Sequence, residues 1–380
     1  MLPVSRRDFV RGVGATAAFI AARGHEALAF GAAPVDAGEI LLGSNENPLG
    51  PGRAVLGAIR GALGETGARA GRYPFGQFFG IRGVIARHHG VESDNVFVGG
   101  GSTQVLRNVT ELFTDKDHPL VTAVPSYEEP ARYARFLGTP VTEVPVDSDL
   151  AVPLEGLEAA AQGAGLVYFC NPNNPTGTAH AAGKANDFVK TVSASATMLV
   201  DEAYQDYVED AVRGTSVLFA AQTPGVIVTR TFSKAFGMAG LRIGYAIGHP
   251  DTIKKLQDWN GFELFTNFVA MTGATAALGQ DESVLAAERA RNKAVREFTR
   301  SFFHDAGFED TASQTNFLFV NVKRPIQEFA AACKQDGVRV GRPFPPFENH
   351  ARISLGTMEE MKKATAIFAK ILEVSAKKVA

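Results

Sequence analysis

Taken as a pattern of apolar and polar positions, the chain divides into short β-rich runs separated by stretches long enough for helices. The runs fall at residues 96–98, 120–124, 166–169, 198–200, 226–229 and 243–247. Strand and helix signals that alternate in this way predict an α/β domain with a mainly parallel sheet. From about residue 310 the pattern changes, with β-rich runs at 317–320, 338–340 and 352–355 and a helix over 326–333. That segment reads as a smaller α+β domain. Its last helix opens on Thr357 and Glu360 at capping-box spacing and carries Ile367, Phe368, Ile371 and Leu372 on one apolar face, which is a structural pattern.

Composition excludes several classes of protein. With 380 residues, 38 Lys and Arg against 40 Asp and Glu, and a formal charge of -2, the chain suits about two soluble domains. A nucleic acid is not the expected partner. Two cysteines, Cys170 and Cys333, without CxxC spacing, and 8 histidines leave no basis for a disulfide framework or a zinc cluster, and no metal is expected.

The N-terminus has a targeting layout. Arg6 and Arg7 precede an uncharged apolar run over 12–22, and Ala27, Leu28 and Ala29 form a small-x-small cleavage site. The segment resembles a twin-arginine signal, which implies removal of residues 1–29 and export of the folded protein to the periplasm. Because the run is about half the ~20 residues of a membrane span, no stable membrane anchor is expected. A basic, frayed helix is the alternative, and it would leave the protein in the cytoplasm.

Candidate chemistry collects just after the predicted strands. Run 96–98 leads to Gly99, Gly100, Gly101, Ser102 and Thr103, followed by a helix over 104–113. Glycines allow close backbone approach, and free N–H groups at a helix N-terminus, with two hydroxyls, suit a phosphate. Neither a Walker lysine nor GxGxxG spacing accompanies this turn, which disfavours a nucleoside triphosphate or a dinucleotide. Run 166–169 is followed by Asn-Pro-Asn-Asn-Pro-Thr-Gly at 171–177, where α/β folds place ligands, although turn formation alone also accounts for such residues. Run 198–200 ends at Asp201, Glu202, Ala203 and Tyr204, which puts an acid at the mouth of the sheet. Run 226–229 leads to Thr231, Ser233 and Lys234, with Arg242 beyond. A partly desolvated lysine near another cation has a lowered pKa and suits covalent bonding to an aldehyde. Taken alone, Lys234 also fits a solvated loop.

In this order the segments resemble the fold-type I pyridoxal-phosphate enzymes, class I and II aminotransferases, and within them the histidinol-phosphate aminotransferase-like branch. The resemblance runs from Ser44-Asn45-Glu46-Asn47-Pro48 through Arg72-Tyr73-Pro74, the glycine loop, Pro125-Ser126-Tyr127, the 171–177 loop, Asp201-Glu202-Ala203-Tyr204 and residues 233–245 to Arg352-Ile353-Ser354-Leu355-Gly356-Thr357. It implies the aspartate aminotransferase-like α/β fold. An N-terminal arm and part of the small domain would span 30–70, the large cofactor-binding domain 71–275, and the C-terminal small domain 276–380. The implied cofactor is pyridoxal 5'-phosphate, with Lys234 as its covalent anchor, Asp201 at the ring nitrogen, Tyr204 and Asn174 at the ring oxygen, and Tyr127 stacked on the ring. Ser102, Thr103, Thr231, Ser233 and Arg242 would form the phosphate cup, joined by Tyr73 from the neighbouring subunit of a homodimer. Lys234, Asp201 and Tyr204 would be the catalytic set. Arg352, Arg342 and Asn174 would bind the substrate, the arginines through its anionic group. A surface ion pair is the other reading for Arg342. The sequence departs from the branch after Ser102, where Thr103-Gln104 stands in place of an acidic pair.

The implied activity moves an amino group between a donor and a 2-oxo acid. The donor is an amino acid with an aromatic or apolar side chain, or an amino-phosphate like histidinol phosphate. The alternatives are a decarboxylase or lyase of the same fold and a non-catalytic binding protein. Other residues read structurally: His88 and His89 before Gly90 suit a helix C-terminus better than a metal pair, and Cys170 suits a small buried apolar position. Trp259, Phe262, Phe265 and Phe268 read as the lining of a substrate pocket or, for phenylalanines three apart, more simply as core, in a stretch where relatives place the dimer interface and the active-site entrance.

Overall fold

Burial on both faces is what turns the apolar runs into one sheet. In the computed structural model, which describes residues 38–210, 212–260 and 266–374, the sheet has 7 strands. They are β1 (Val96–Gly99), β2 (Leu120–Val124), β3 (Val141–Pro145), β4 (Leu166–Cys170), β5 (Thr197–Asp201), β6 (Val226–Thr231) and β7 (Gly244–Gly248). Their order across the sheet is β1-β7-β6-β5-β4-β2-β3. Strands β2 to β6 run parallel, and β7 is antiparallel to both β6 and β1. Alternate residues enter different cores: Val167 and Phe169 pack with Val200 and Val228, whereas Leu166, Tyr168 and Cys170 pack with Leu199 and Ile227. A strand covered on both sides has no polar face to interrupt it. The edge strand β3 escaped the sequence pattern because Thr142 and Glu143 are exposed and no apolar run marks it.

The topology also gathers the candidate motifs. Because β7 opposes its neighbours, its first residue, Gly244, lies across from both Gly99 and Thr231, the last residues of β1 and β6. Cys170 lies across from Asp201. The glycine turn, the 171–177 loop, Asp201 and Lys234 therefore leave the sheet at one edge, where open α/β sheets hold ligands.

Beyond residue 310, β8 (Phe317–Asn321), β9 (Val338–Val340) and β10 (His350–Ser354) accompany the helices Ile326–Gln335 and Met358–Ile371. β10 starts earlier than the apolar run, with His350 pairing with Asn321 across the ladder and its ring stacked on Phe319, centroids 4.9 Å apart. Arg352 pairs with Phe319 across the ladder. The final helix has its capping box, with Glu360 N donating to Thr357 Oγ1 at 3.2 Å and Thr357 N donating to Glu360 Oε2 at 2.6 Å. Met361, Ala364, Phe368 and Leu372 are buried along it, while Ile367 and Ile371 flank that face half-buried.

Residues 41–380 cluster as one unit, and of the preceding unit, Met1–Ile40, only residues 38–40 are described. Arg6, Arg7 and the 27–29 cleavage site lie outside the described residues, as do Phe262 and Phe265. Trp259 is exposed and Phe268 buried. Helix Phe75–His89 ends at Gly90, whose φ of 67° is left-handed. His89 is half-buried there against Tyr245, Nε2 to Oη 2.9 Å, and loss of hydration pushes its pKa down to about 3. Among the described residues, no helix is long and apolar enough to cross a membrane, and no group of three or more His, Cys, Asp or Glu could hold a metal ion.

Candidate active site

A cleft of about 470 Å³ opens at the shared sheet edge. Every site residue named from the sequence lines it except Tyr73, which stands 80% exposed on the surface of the chain. A second cavity, about 590 Å³, contains none of them. Its cation, Arg291, is already held by Glu288 and by the Gly356 carbonyl, so the chemistry belongs to the first.

One end of the cleft is built for an anion. Helix Ser102–Phe113 starts directly after the glycine turn, so its unpaired N-terminal N–H groups join the Ser102 and Thr103 hydroxyls there. Gly101 has φ 90°, and a Cβ on it would lie 2.3 Å from an Arg242 guanidinium nitrogen. A Cβ on Gly244 would lie 2.3 Å from Ser102 N. Glycine at both positions thus lets the guanidinium and the helix start converge. Arg242 Nη1 donates to Ser233 Oγ at 3.4 Å and to the Ala239 carbonyl at 2.8 Å, and Ser233 N donates to Thr231 Oγ1 at 3.1 Å. Gln104, part of the departure from the branch, closes the turn by accepting the Gly100 N–H at 2.6 Å.

Lys234 and Asp201 face the middle of the cleft. Lys234 Nζ donates to the Ser44 carbonyl at 3.2 Å and lies 5.7 Å from the Tyr204 ring centre. Burial, assisted by the charge of Arg352, lowers its pKa from 10.5 to about 8. Asp201 is buried and accepts from Tyr168 Oη at 2.9 Å, Thr229 Oγ1 at 3.2 Å and Ala203 N at 3.2 Å. Desolvation nevertheless raises its pKa. These three partners are neutral, so a cation arriving from the cleft would restore the carboxylate. The adjacent Glu202 bonds elsewhere, to buried Arg230, Nε to Oε2 2.8 Å, and this pair ties the ends of β5 and β6.

A second chain of contacts runs from Tyr204 through Asn174 to Arg352. Tyr204 Oη accepts from Asn45 Nδ2 at 3.0 Å and from Asn174 Nδ2 at 3.4 Å. Asn174 Oδ1 accepts from Arg352 Nη1 at 2.8 Å, and Arg352 Nη2 donates to the Gly43 carbonyl at 2.6 Å. Asn173 ties this loop to the one carrying Tyr127 through the Pro125 carbonyl and Ser126 Oγ. Arg352 is buried, and its Nε has no partner among the described residues. A guanidinium placed among neutral acceptors with one N–H unpaired calls for an anion. Arg342 is half-exposed and ion-paired with Glu128 at 2.7 Å, as its surface reading expected, yet it also lines the cleft. Its guanidinium lies 4.2 Å from the Phe344 ring centre, and that of Arg352 lies 4.9 Å from it.

Sequence reasoning assigned no role to Asn45, Glu128, Tyr168 or Thr229. Tyr168 and Thr229 carry only a weak signal, a hydroxyl two residues before the end of a strand. Asn45 lies inside the stretch that carries the resemblance, but nothing local says that its amide meets Tyr204.

Comparison with known proteins agrees with this geometry. The chain matches the family described as aminotransferase class I and II over residues 37–368. It is 32% identical over 328 residues to a histidinol-phosphate aminotransferase of Moorella thermoacetica, covering 84% of this chain and 82% of that protein. To an aromatic amino acid aminotransferase of Thermobifida fusca it is 32% identical over 320 residues, covering 84% and 86%. The crystal structure of histidinol-phosphate aminotransferase from Sinorhizobium meliloti in complex with pyridoxal-5'-phosphate matches with a TM-score of 0.80 at 28% identity, covering 88% of this chain and 91% of that one. The chain thus has the aspartate aminotransferase-like fold and belongs to the class I and II aminotransferases, enzymes that transfer amino groups with pyridoxal 5'-phosphate.

Proposed function

We propose that this cleft exchanges an amino group between a 2-oxo acid and an amino acid whose side chain is aromatic or apolar. The observation that carries the reading is one cleft holding a lysine of lowered pKa, a buried aspartate with neutral partners and a buried arginine without an anion. The bound cofactor supplies the electron sink for charge left on the substrate α-carbon. In this reading Ser102, Thr103, Thr231, Ser233 and Arg242 hold its phosphate, with Tyr73 of the partner subunit completing the cup in a homodimer. Asp201 keeps the ring nitrogen protonated, Tyr204 and Asn174 meet the ring oxygen, and Tyr127 covers a ring face. Lys234 anchors the cofactor, then takes the proton from the donor α-carbon and returns it during transfer. Arg352 grips the substrate carboxylate.

The donor class rests on charge. Glu128 already neutralises Arg342, which leaves Arg352 as the uncompensated cation beside the apolar face of Phe344. An amino-phosphate donor is the second reading, favoured by the similarity to histidinol-phosphate aminotransferases and by a second guanidinium that a strong anion would draw from Glu128. A screen of amino donors and 2-oxo acids on the holoprotein tests both. Aromatic or apolar amino acids should lead, histidinol phosphate in first place would favour the second reading, and carbon dioxide release without amino transfer would overturn both.

The lowered pKa of Lys234 gives a pH prediction. Only the neutral amine attacks an aldehyde, and a depressed pKa means that the amine is neutral from a lower pH upward. Uptake of pyridoxal phosphate by cofactor-free protein should therefore accelerate with rising pH and reach half its plateau near 8 instead of 10.5. Stopped-flow absorbance would measure it, and a midpoint above 10 would contradict the lowered pKa of the amine.

Dimerisation is supported by exposed Tyr73, Phe75 and Phe79, aromatic surface that a second subunit would cover; a fully active monomer in sedimentation at assay concentration would count against it. Export through the twin-arginine pathway to the periplasm is supported by Arg6, Arg7 and the 27–29 site. Mass spectrometry of the protein from its native host should then find Phe30 at the N-terminus, and lysine at positions 6 and 7 should strand the enzyme in the cytoplasm. Full-length cytoplasmic protein would end that proposal.

A further inference from the structure

We propose that Asn45 is a positioning residue that makes the Tyr204 hydroxyl donate its proton into the cleft. The inference rests on the reading above that Tyr204 meets the ring oxygen of the cofactor, and it adds a residue that decides how.

Asn45 is buried, 1% exposed, and has a φ of 56°, a left-handed conformation that a non-glycine residue adopts only when its surroundings hold it there. They do so from several sides. Asn45 N donates to Ser354 Oγ at 2.8 Å, Ser354 Oγ donates to Asn45 Oδ1 at 2.9 Å, and Asn316 Nδ2 donates to the Asn45 carbonyl at 3.0 Å. With Oδ1 occupied by Ser354, the amide Nδ2 is left facing Tyr204 Oη at 3.0 Å.

Hydrogen-bond direction follows from donor inventory. A guanidinium has donors and no acceptor, so Asn174 must turn Oδ1 to Arg352, leaving its own Nδ2 for Tyr204. A tyrosine hydroxyl carries one proton and two lone pairs. Both of its described partners are N–H donors, which fill the lone pairs. The proton then has no acceptor among the described residues, and Tyr204 lines the cleft, so the proton is free for a ligand oxygen there. Ser354 lies two positions from Arg352 on β10, so Asn45 also couples this direction to the strand that carries the substrate arginine.

A hydrogen bond given to an oxygen favours its anionic form and lowers its pKa. The visible absorbance of the bound cofactor, titrated with pH, reads that oxygen and its surroundings without turnover. Asn45→Asp keeps the shape of the side chain but replaces the donor by an acceptor, so Tyr204 would donate to it and withdraw its proton from the cleft. Asn45→Gly removes the side chain, adds no charge and suits the left-handed backbone. The titration midpoint should rise by about one pH unit, a tenfold change in proton affinity, in Asn45→Asp. It should rise in the same direction by roughly a third of that in Asn45→Gly, while cofactor-free Asn45→Gly melts close to the parent protein. Unchanged midpoints in both variants, with activity or melting temperature lowered, would reduce Asn45 to a structural part and overturn the proposal. Tyr204→Phe separates the two levels of inference. If it shifts the midpoint and the Asn45 variants do not, the Asn45 role fails alone, and if it too has no effect, the underlying placement of Tyr204 fails.

Discussion

Lys234→Ala protein is expected to lose at least about 10²- to 10⁴-fold in kcat on every donor, the range that a positioned acid–base group supplies. In the proposed role two losses combine, because the same amine would anchor the cofactor and move the α-carbon proton. Binding should survive, since the anion cup of Arg242, Ser233 and the Ser102–Phe113 helix start is independent of the lysine. The fold should survive too. Lys234 Nζ makes one hydrogen bond, to the Ser44 carbonyl, and burial already disfavours its charge. Borohydride should therefore trap a pyridoxyl adduct on Lys234 of the parent protein and none on the variant, while small primary amines restore part of the rate. An adduct on another lysine, or turnover within tenfold of the parent, would remove Lys234 from its role.

Arg352→Ala should act on the Michaelis constants, weakening substrate binding by on the order of 2 to 5 kcal/mol, as removal of one partner from a desolvated ion pair does. In the proposed role the guanidinium would meet the substrate anion both before and during reaction, so kcat should fall less than the Michaelis constant rises. Its loss has two further effects. Asn174 Oδ1 and the Gly43 carbonyl lose their donor, and Lys234 loses the neighbouring charge that helps depress its pKa. The pH midpoint for cofactor uptake should consequently move up from about 8. Arg352→Lys restores the charge but not the two-pronged geometry, so it should recover only part of the affinity. Michaelis constants left unchanged for all good donors and acceptors would show that another group binds the substrate anion.

The strands were legible because their physics is local. Double-sided burial demands uninterrupted apolar runs, and six of the seven sheet strands coincide with such runs to within two residues. The seventh, Val141–Pro145, is exposed at Thr142 and Glu143, and no apolar run marks it. Site residues were legible for a related reason. The motifs directly follow strands that end at one edge, so closeness to a strand end in sequence became closeness in space. The resemblance then assigned roles that composition and spacing alone had left open.

Tertiary structure decided what depends on distant neighbours. Asn45 reaches Tyr204 across 159 positions, Arg342 meets Glu128 across 214, and Arg352 meets Asn174 across 178. No periodicity of two or 3.6 residues encodes such pairs. Local sequence was enough for six of the seven sheet strands, the turn chemistry and most of the reactive groups, since these arise from each residue and the few beside it. Only the folded chain decided that Lys234 is desolvated, that Arg352 lacks an acid while Arg342 has one, and which way the Tyr204 proton points. Desolvation and hydrogen-bond direction are properties of the surroundings, and the surroundings are assembled from segments that local sequence does not connect.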